Sequence, residues 1–279
     1  MTIDTLKSLL KHYKLNPNKT YGQNFLMDET ILEDMIDEAK VKPGEQVLEV
    51  GPGIGNLTER LLQHGAEVLS IEKDPQFLNV LKSLDKEHNK KDEKHFSYEV
   101  ADILNFNFSQ RLENVSYKVI ANIPYYITGK IVQLFMQAQH KPESLTLLMQ
   151  KEVAYNISAK PGDLNLLAIS VQLYANPKVI CVVPSHKFYP APKVDSAVIK
   201  IEIPKKAKYK IADEAKLFRI LRACFSGKRK QLHNTLQNNL LLDKNVVSEV
   251  LKKLKIDPAV RPQQLTIEQW LELTDELKI

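Results

Sequence analysis

Cysteine is scarce in this chain. There are two, Cys181 and Cys224, far apart and without metal-ligand spacing. That pattern argues against a disulfide scaffold or a zinc ribbon, and both thiols are expected to be reduced in a cytoplasmic compartment. The seven histidines are scattered too, so no metal site is expected. No apolar run approaches the ~20 residues of a membrane span, and Met1-Thr2-Ile3-Asp4 lacks the basic-then-apolar design of a secretory leader. A membrane partner is therefore not expected. No internal repeat is visible. What remains is a chain of 279 residues, 43% hydrophobic, with a mean hydropathy of −0.28. Such a chain can bury one sizeable α/β core and still leave a small second domain.

Acidic and basic residues are nearly balanced, with a net charge of +5, but they are unevenly placed. From Pro204 onwards there are 16 Lys/Arg against 9 Asp/Glu, a net of +7; the residues before it carry −2. The basic cluster includes Arg219, Arg222, Lys228, Arg229 and Lys230. Clustered cations release counterions from a phosphate backbone, so Arg222, Lys228, Arg229 and Lys230 are candidate RNA contacts. Lys252, Lys253 and Lys255 read better as a solvated helix face.

Strands and helices alternate from Gln46 to about Ile157, the signature of βαβ units. Before them, residues 3–14 read as an amphipathic helix, and Asp28 as the N-cap of a helix through Ala39. Residues 85–95 read as a charged surface loop. Apolar runs at Leu166–Tyr174, Val179–Val183 and Ala197–Ile203 read as the last strands, a boundary falls near Pro204–Lys210, and about four helices follow. The expected fold class is α/β, with a Rossmann-like domain over 1–204 and a small all-helical domain over 205–279.

Four strand ends carry the chemistry. The first, Val47-Leu48-Glu49-Val50, runs into Gly51-Pro52-Gly53-Ile54-Gly55. This is Gly-X-Gly-X-Gly, neither the Gly-X-Gly-X-X-Gly of dinucleotide binders nor a P-loop. Glu49 beside the turn would repel a pyrophosphate but attract a cation, which suits a sulfonium cofactor better than NAD. Glu72 closes the next apolar run about 20 residues on, where doubly wound folds place the acid that holds ribose hydroxyls. Asp102 follows a third strand and offers an acceptor to an adenine amino group. Singly, such acids are more often solvated; in this order they point to S-adenosylmethionine.

The fourth strand, Tyr117 to Ala121, ends in Asn122-Ile123-Pro124-Tyr125. Asn122 and the Pro124 carbonyl are two acceptors for an exocyclic NH2, and Tyr125 is a face for a base. The same tetrapeptide can also close an ordinary turn. Phe188 lies in the proline-bounded loop His186-Lys187-Phe188-Tyr189-Pro190. An exposed ring there could sandwich a flipped base with Tyr125; the alternative is a ring packed under the loop.

Gly22-Gln23-Asn24-Phe25-Leu26, Glu49 to Gly55, Asn122 to Tyr125 and Pro190 to Val198 together resemble the ribosomal RNA adenine N6-dimethyltransferases, and among them the bacterial small-subunit group. The resemblance spans nearly the whole chain from about Tyr21. It implies an S-adenosylmethionine-dependent enzyme that dimethylates two adjacent adenines in a hairpin loop near the 3′ end of 16S rRNA, within the immature 30S subunit; the chain is expected to be a monomer. It implies cofactor contacts at Asn24, Leu26, Gly51, Glu72, Asp102 and Asn122, and a target-adenine site of Asn122, Pro124, Tyr125 and Phe188. Two stretches depart from the family pattern: Tyr126-Ile127-Thr128-Gly129-Lys130, where many relatives have a small residue and proline, and Ala159 to Leu164, which is short and lacks a Tyr-Gly pair. The rival readings are a large-subunit adenine methyltransferase conferring macrolide resistance, and a non-catalytic RNA-binding assembly factor. The glycine spacing and Asn122 disfavour an NAD-dependent oxidoreductase.

Overall fold

In a computed structural model of the chain, residues 1–18, 21–89, 94–113, 115–227 and 230–278 are described. They divide into two compact units, one of Met1–Ala154 with Asn176–Lys205, the other of Tyr155–Ala175 with Lys206–Ile279.

The first unit is built on a seven-stranded sheet. Its strands are β2 (Gln46–Val50), β3 (Glu67–Glu72), β4 (Phe96–Val100), β5 (Tyr117–Asn122), β6 (Ser144–Gln150), β7 (Asn176–Val183) and β9 (Ser196–Glu202), in the order β4-β3-β2-β5-β6-β9-β7. The first five are mutually parallel, and β9 runs antiparallel between β6 and β7. Val47, Leu48, Val119, Ile120 and Leu147 are fully buried, as strands covered on both faces require. From β2 the chain winds outward through β3 and β4, then returns to the other side of β2 as β5. The crevice beyond the carboxyl ends of β2 and β5 is thus a topological switch point, where open α/β sheets bind ligands.

Helices and a two-stranded ladder complete the unit. Helix α1 (Ile3–His12) buries Leu6 and Leu10, and α2 (Glu29–Ala39) starts at Asp28, whose side chain accepts the Thr30 N–H at 3.0 Å. Between them, β1 (Phe25–Leu26) pairs antiparallel with β8 (Phe188–Tyr189), Leu26 opposite Phe188. Helix α3 (Asn56–Gln63) follows the glycine turn. Helix α4 (Leu78–His88) occupies the first part of the expected loop at 85–95. Asn89 then ties the chain back, donating to Asp85 and to the Phe96 carbonyl; residues 90–93 lie outside the described set. Helix α5 (Phe108–Arg111) and α6 (Thr128–Gln137) flank β5, and α7 (Lys151–Ile157) follows β6.

The second unit is helical among its described residues: α8 (Leu166–Gln172), α9 (Glu214–Phe225), α10 (Leu232–Leu240), α11 (Lys244–Lys253) and α12 (Ile267–Glu276). Leu217, Ile220, Leu221 and Cys224 recur at helical spacing on α9 and are buried with Trp270 and Leu273 of α12. Here the structure corrects the sequence reading twice. Leu166–Tyr174 is not a strand: Asn165 caps a helix by accepting the Ala168 N–H at 2.9 Å, and Ala168 and Ile169 join the Leu217–Ile220 core. A bare apolar run does not distinguish a buried strand from a buried helix. In consequence residues 155–175 group with the C-terminal helices, so a single cut at 204/205 does not describe the division.

Candidate active site

The glycine turn opens the site. Gly51 leaves β2 at φ +71° and donates its N–H to the Ile71 carbonyl at 2.9 Å. A Cβ placed there would meet no atom within 4 Å, so the turn leaves open space above the strand end. Gly55 (φ +85°) answers a different need: its Cβ would lie 2.7 Å from Leu84 Cδ1, so α3 and α4 approach through its bare backbone. Above the turn lies a cleft of about 1020 Å³, open mouth included, and Asn24, Leu26, Gly51, Glu72, Asp102 and Asn122 all line it.

Three carboxylates stand at its floor in different states. Glu49 is 1% exposed and its Oε2 accepts from both Thr58 Oγ1 and Ser70 Oγ at 2.7 Å. Burial outweighs those bonds and pushes the acid up to about 7, with the Glu72 charge adding to the rise. Glu72 is braced by the Asp74 N–H on Oε1 (2.8 Å) and the Gly53 N–H on Oε2 (3.0 Å). It too is raised by burial, against those backbone bonds. Asp102 is the open one. Its Oδ2 pairs with Lys73 Nζ at 2.8 Å and its Oδ1 accepts the Leu104 N–H at 3.0 Å, so the Lys73 hydrogen bond holds it below the usual carboxylate range.

At the end of β5, Asn122 Nδ2 donates to the Asn24 carbonyl at 3.2 Å, which leaves its Oδ1 without a partner among the described residues. Pro124 begins a single 3-10 turn, Tyr125–Ile127, and its carbonyl accepts the Ile127 N–H at 3.2 Å. Thr128 Oγ1 reaches the same carbonyl at 3.5 Å and the Tyr125 carbonyl at 3.2 Å, so the Pro124 oxygen already meets two donors of its own chain. The Tyr125 hydroxyl lies 2.6 Å from Ser196 Oγ, where β9 begins. Ser196 is fully buried, so the bond fixes the ring from below, and burial raises the phenol.

Comparison with known proteins settles the lineage. Residues 14–278 match the family described as ribosomal RNA adenine dimethylase. The chain belongs to that family. A ribosomal RNA small subunit methyltransferase A from Dehalococcoides mccartyi is 40% identical over 268 residues, spanning 96% of this chain and 90% of that one. The protein of the same name from Alkaliphilus metalliredigens is 38% identical over 97% and 95% of the two chains. Among solved structures, a dimethyladenosine transferase from Plasmodium falciparum superposes with a TM-score of 0.76 at 26% identity, covering 89% of this chain and 95% of that one. The 23S rRNA methyltransferase ErmE gives 0.71 at 25%, covering 91% and 99%. The chain is thus an S-adenosylmethionine-dependent rRNA methyltransferase with a Rossmann-like sheet, and its cleft fits the cofactor: a cradle without side chain at Gly51, a braced carboxylate at Glu72 and an open one at Asp102.

One expected site residue is not in the cleft. Phe188 is 2% exposed and belongs to the core with Leu26 and Val198. The two-residue ladder to β1 turns its ring inward, so it lacks the exposed face that sandwiching a base with Tyr125 requires. Of the basic residues, Arg222 in the last turn of α9 and Lys230 are exposed, as is Arg219 one turn earlier; Lys228 and Arg229 lie outside the described residues. The sequence reading missed Lys73, Ser196 and Tyr126. Lys73 directly follows Glu72 and Tyr126 follows Tyr125, so adjacency to the motifs was the available signal. Among the described residues no His/Cys/Asp/Glu group could hold a metal, and no helix is long and apolar enough to cross a membrane.

Proposed function

We propose that the chain converts two adjacent adenines near the 3′ end of 16S rRNA to N6,N6-dimethyladenine, acting as a monomer on the immature 30S subunit in the cytoplasm. The supporting observation is the pairing of an unpartnered Asn122 Oδ1 with an anchored Tyr125 ring at the mouth of a cleft whose floor suits a sulfonium nucleoside. Gly51, Glu72 and Asp102 would hold the cofactor, with Asn24, Leu26 and Asn122 closing over it. S-adenosylmethionine supplies a methyl group already activated on a positively charged sulfur.

The protein's own work is positional. Tyr125 offers its face to an adenine taken out of its stack. Asn122 Oδ1 accepts one N6 hydrogen, and the Pro124 carbonyl accepts the other while the Thr128 hydroxyl donates to the Tyr125 carbonyl instead. Both bonds favour a more tetrahedral nitrogen, whose lone pair is released from the ring and aimed at the donor. Phe188 serves from beneath by holding β8 against β1. The exposed Arg222 and Lys230, with Lys228 and Arg229 in sequence, would contact phosphates outside the reacting loop.

The deciding experiment is methyl transfer from labelled cofactor to 30S particles lacking the modification, with 50S particles and naked rRNA in parallel. Dimethyladenine in the 30S particle alone supports this reading. Transfer to naked large-subunit rRNA would favour the macrolide-resistance alternative. No transfer despite cofactor binding would favour the assembly-factor alternative.

A further inference from the structure

The mouth of the cleft holds an aromatic residue to which the mechanism gives no part. Tyr126 is 52% exposed, although its neighbours Tyr125 and Ile127 turn inward. It shares their 3-10 turn and lines the same cleft with Tyr21. Its hydroxyl makes no hydrogen bond to the described residues, so the ring is not placed there to satisfy a polar partner. Its position is nonetheless defined. The ring lies against the bare backbone of Gly22, where a Cβ would stand 3.5 Å from Tyr126 Cδ1, and Gly22 adopts φ +63°. Lys130, four residues on and in the first turn of α6, is exposed.

We propose that Tyr126 is a second stacking residue, which holds the nucleobase adjacent to the adenine being methylated. The inference rests on the adenine-methylating reading above. Taking one base out of a loop removes a stacking partner from its neighbour. An exposed ring one residue from the first replaces that partner, and the cationic side chain of Lys130 suits the phosphate between the two nucleotides. Phe188, being buried, cannot supply the face. With two adjacent adenines as substrate, each occupies the Tyr126 face while the other is in the cleft.

The test uses Tyr126→Ala, Tyr126→Leu and Tyr126→Phe in the full chain, with unmodified 30S particles as substrate and cofactor affinity measured by equilibrium dialysis. Loss of one base–aromatic stack should raise KM for the particle by about 5- to 150-fold in Y126A. Y126L should resemble Y126A, because it restores apolar bulk without a π face, and Y126F should resemble wild type. Cofactor affinity should stay within about twofold throughout, since no cofactor contact is assigned to this ring. An unchanged KM in Y126A would overturn the proposal. So would full rescue by Y126L, or a loss of cofactor affinity that matches the loss for RNA. A wild-type enzyme inert on 30S particles would bring down the substrate reading, and the subsite with it.

Discussion

Replacing Glu49 by glutamine should stabilise the protein at alkaline pH and leave it unchanged in acid. The carboxyl ionises at an ordinary 4.5 in water and at about 7 in the fold, chiefly because it is buried. Between those values the folded state binds a proton that the unfolded state has lost. This group's contribution is therefore fully present below 4.5 and disappears as pH rises through 7. At ~1.4 kcal/mol per pH unit, the difference across the window is on the order of 3 kcal/mol. Glutamine keeps one oxygen in place to accept from Thr58 and Ser70, so E49Q mimics the protonated acid without losing those bonds. The single tryptophan, Trp270, lies in the helical unit, so its fluorescence would report on the wrong part of the chain. Amide exchange in β2 and β3, with circular dichroism in urea, follows the right one. E49Q should match wild type near pH 4 and exceed it above pH 8. Parallel profiles for the two proteins across that range would refute the assignment of a buried, proton-binding Glu49.

Asn122→Ala should lower single-turnover methyl transfer by about 100-fold or more, as loss of a pre-organised polar group typically does, while 30S affinity changes little; an equal loss of both would contradict its role. Asp102→Asn should weaken cofactor binding in dialysis, and Lys73→Met should weaken it less. Neither should shift the melting temperature much, because the pair is partly solvent-exposed and such pairs contribute at most ~1 kcal/mol. Unchanged affinity in D102N would remove Asp102 from the cofactor site. Phe188→Ala should cost ~3–5 kcal/mol of stability as a core truncation, whereas Phe188→Leu should keep most activity. A stable F188A with impaired RNA binding would restore Phe188 to the base site.

The strand ends were legible because a parallel sheet announces itself in consecutive apolar runs. Each run stops where the backbone leaves the sheet, and Gly51, Glu72, Asp102 and Asn122 stand at or just past those stops. Nothing comparable marks Phe188. A two-residue strand has no alternation to read, so only its pairing with Leu26 shows that the ring points to the core. Helix α8 was obscured for a related reason. Its apolar run fits either period, and the deciding features are the Asn165 cap and the distant helix it packs on.

The two missed contacts follow from sheet register rather than from any local pattern. Glu72 pairs with Val100 across the β3–β4 ladder, so the chains leave the sheet side by side and carry Lys73 and Asp102 into contact. On the other flank Asn122 lies opposite Leu148, and Gln150, two residues on, lies opposite Ser196. Ser196 therefore comes up beside the turn after Asn122, where it meets the Tyr125 hydroxyl. A motif more than 70 residues downstream thus holds the aromatic ring of the tetrapeptide in place. Its serine needs no contact with substrate to matter, since a ring free to swing would present no defined face to the base.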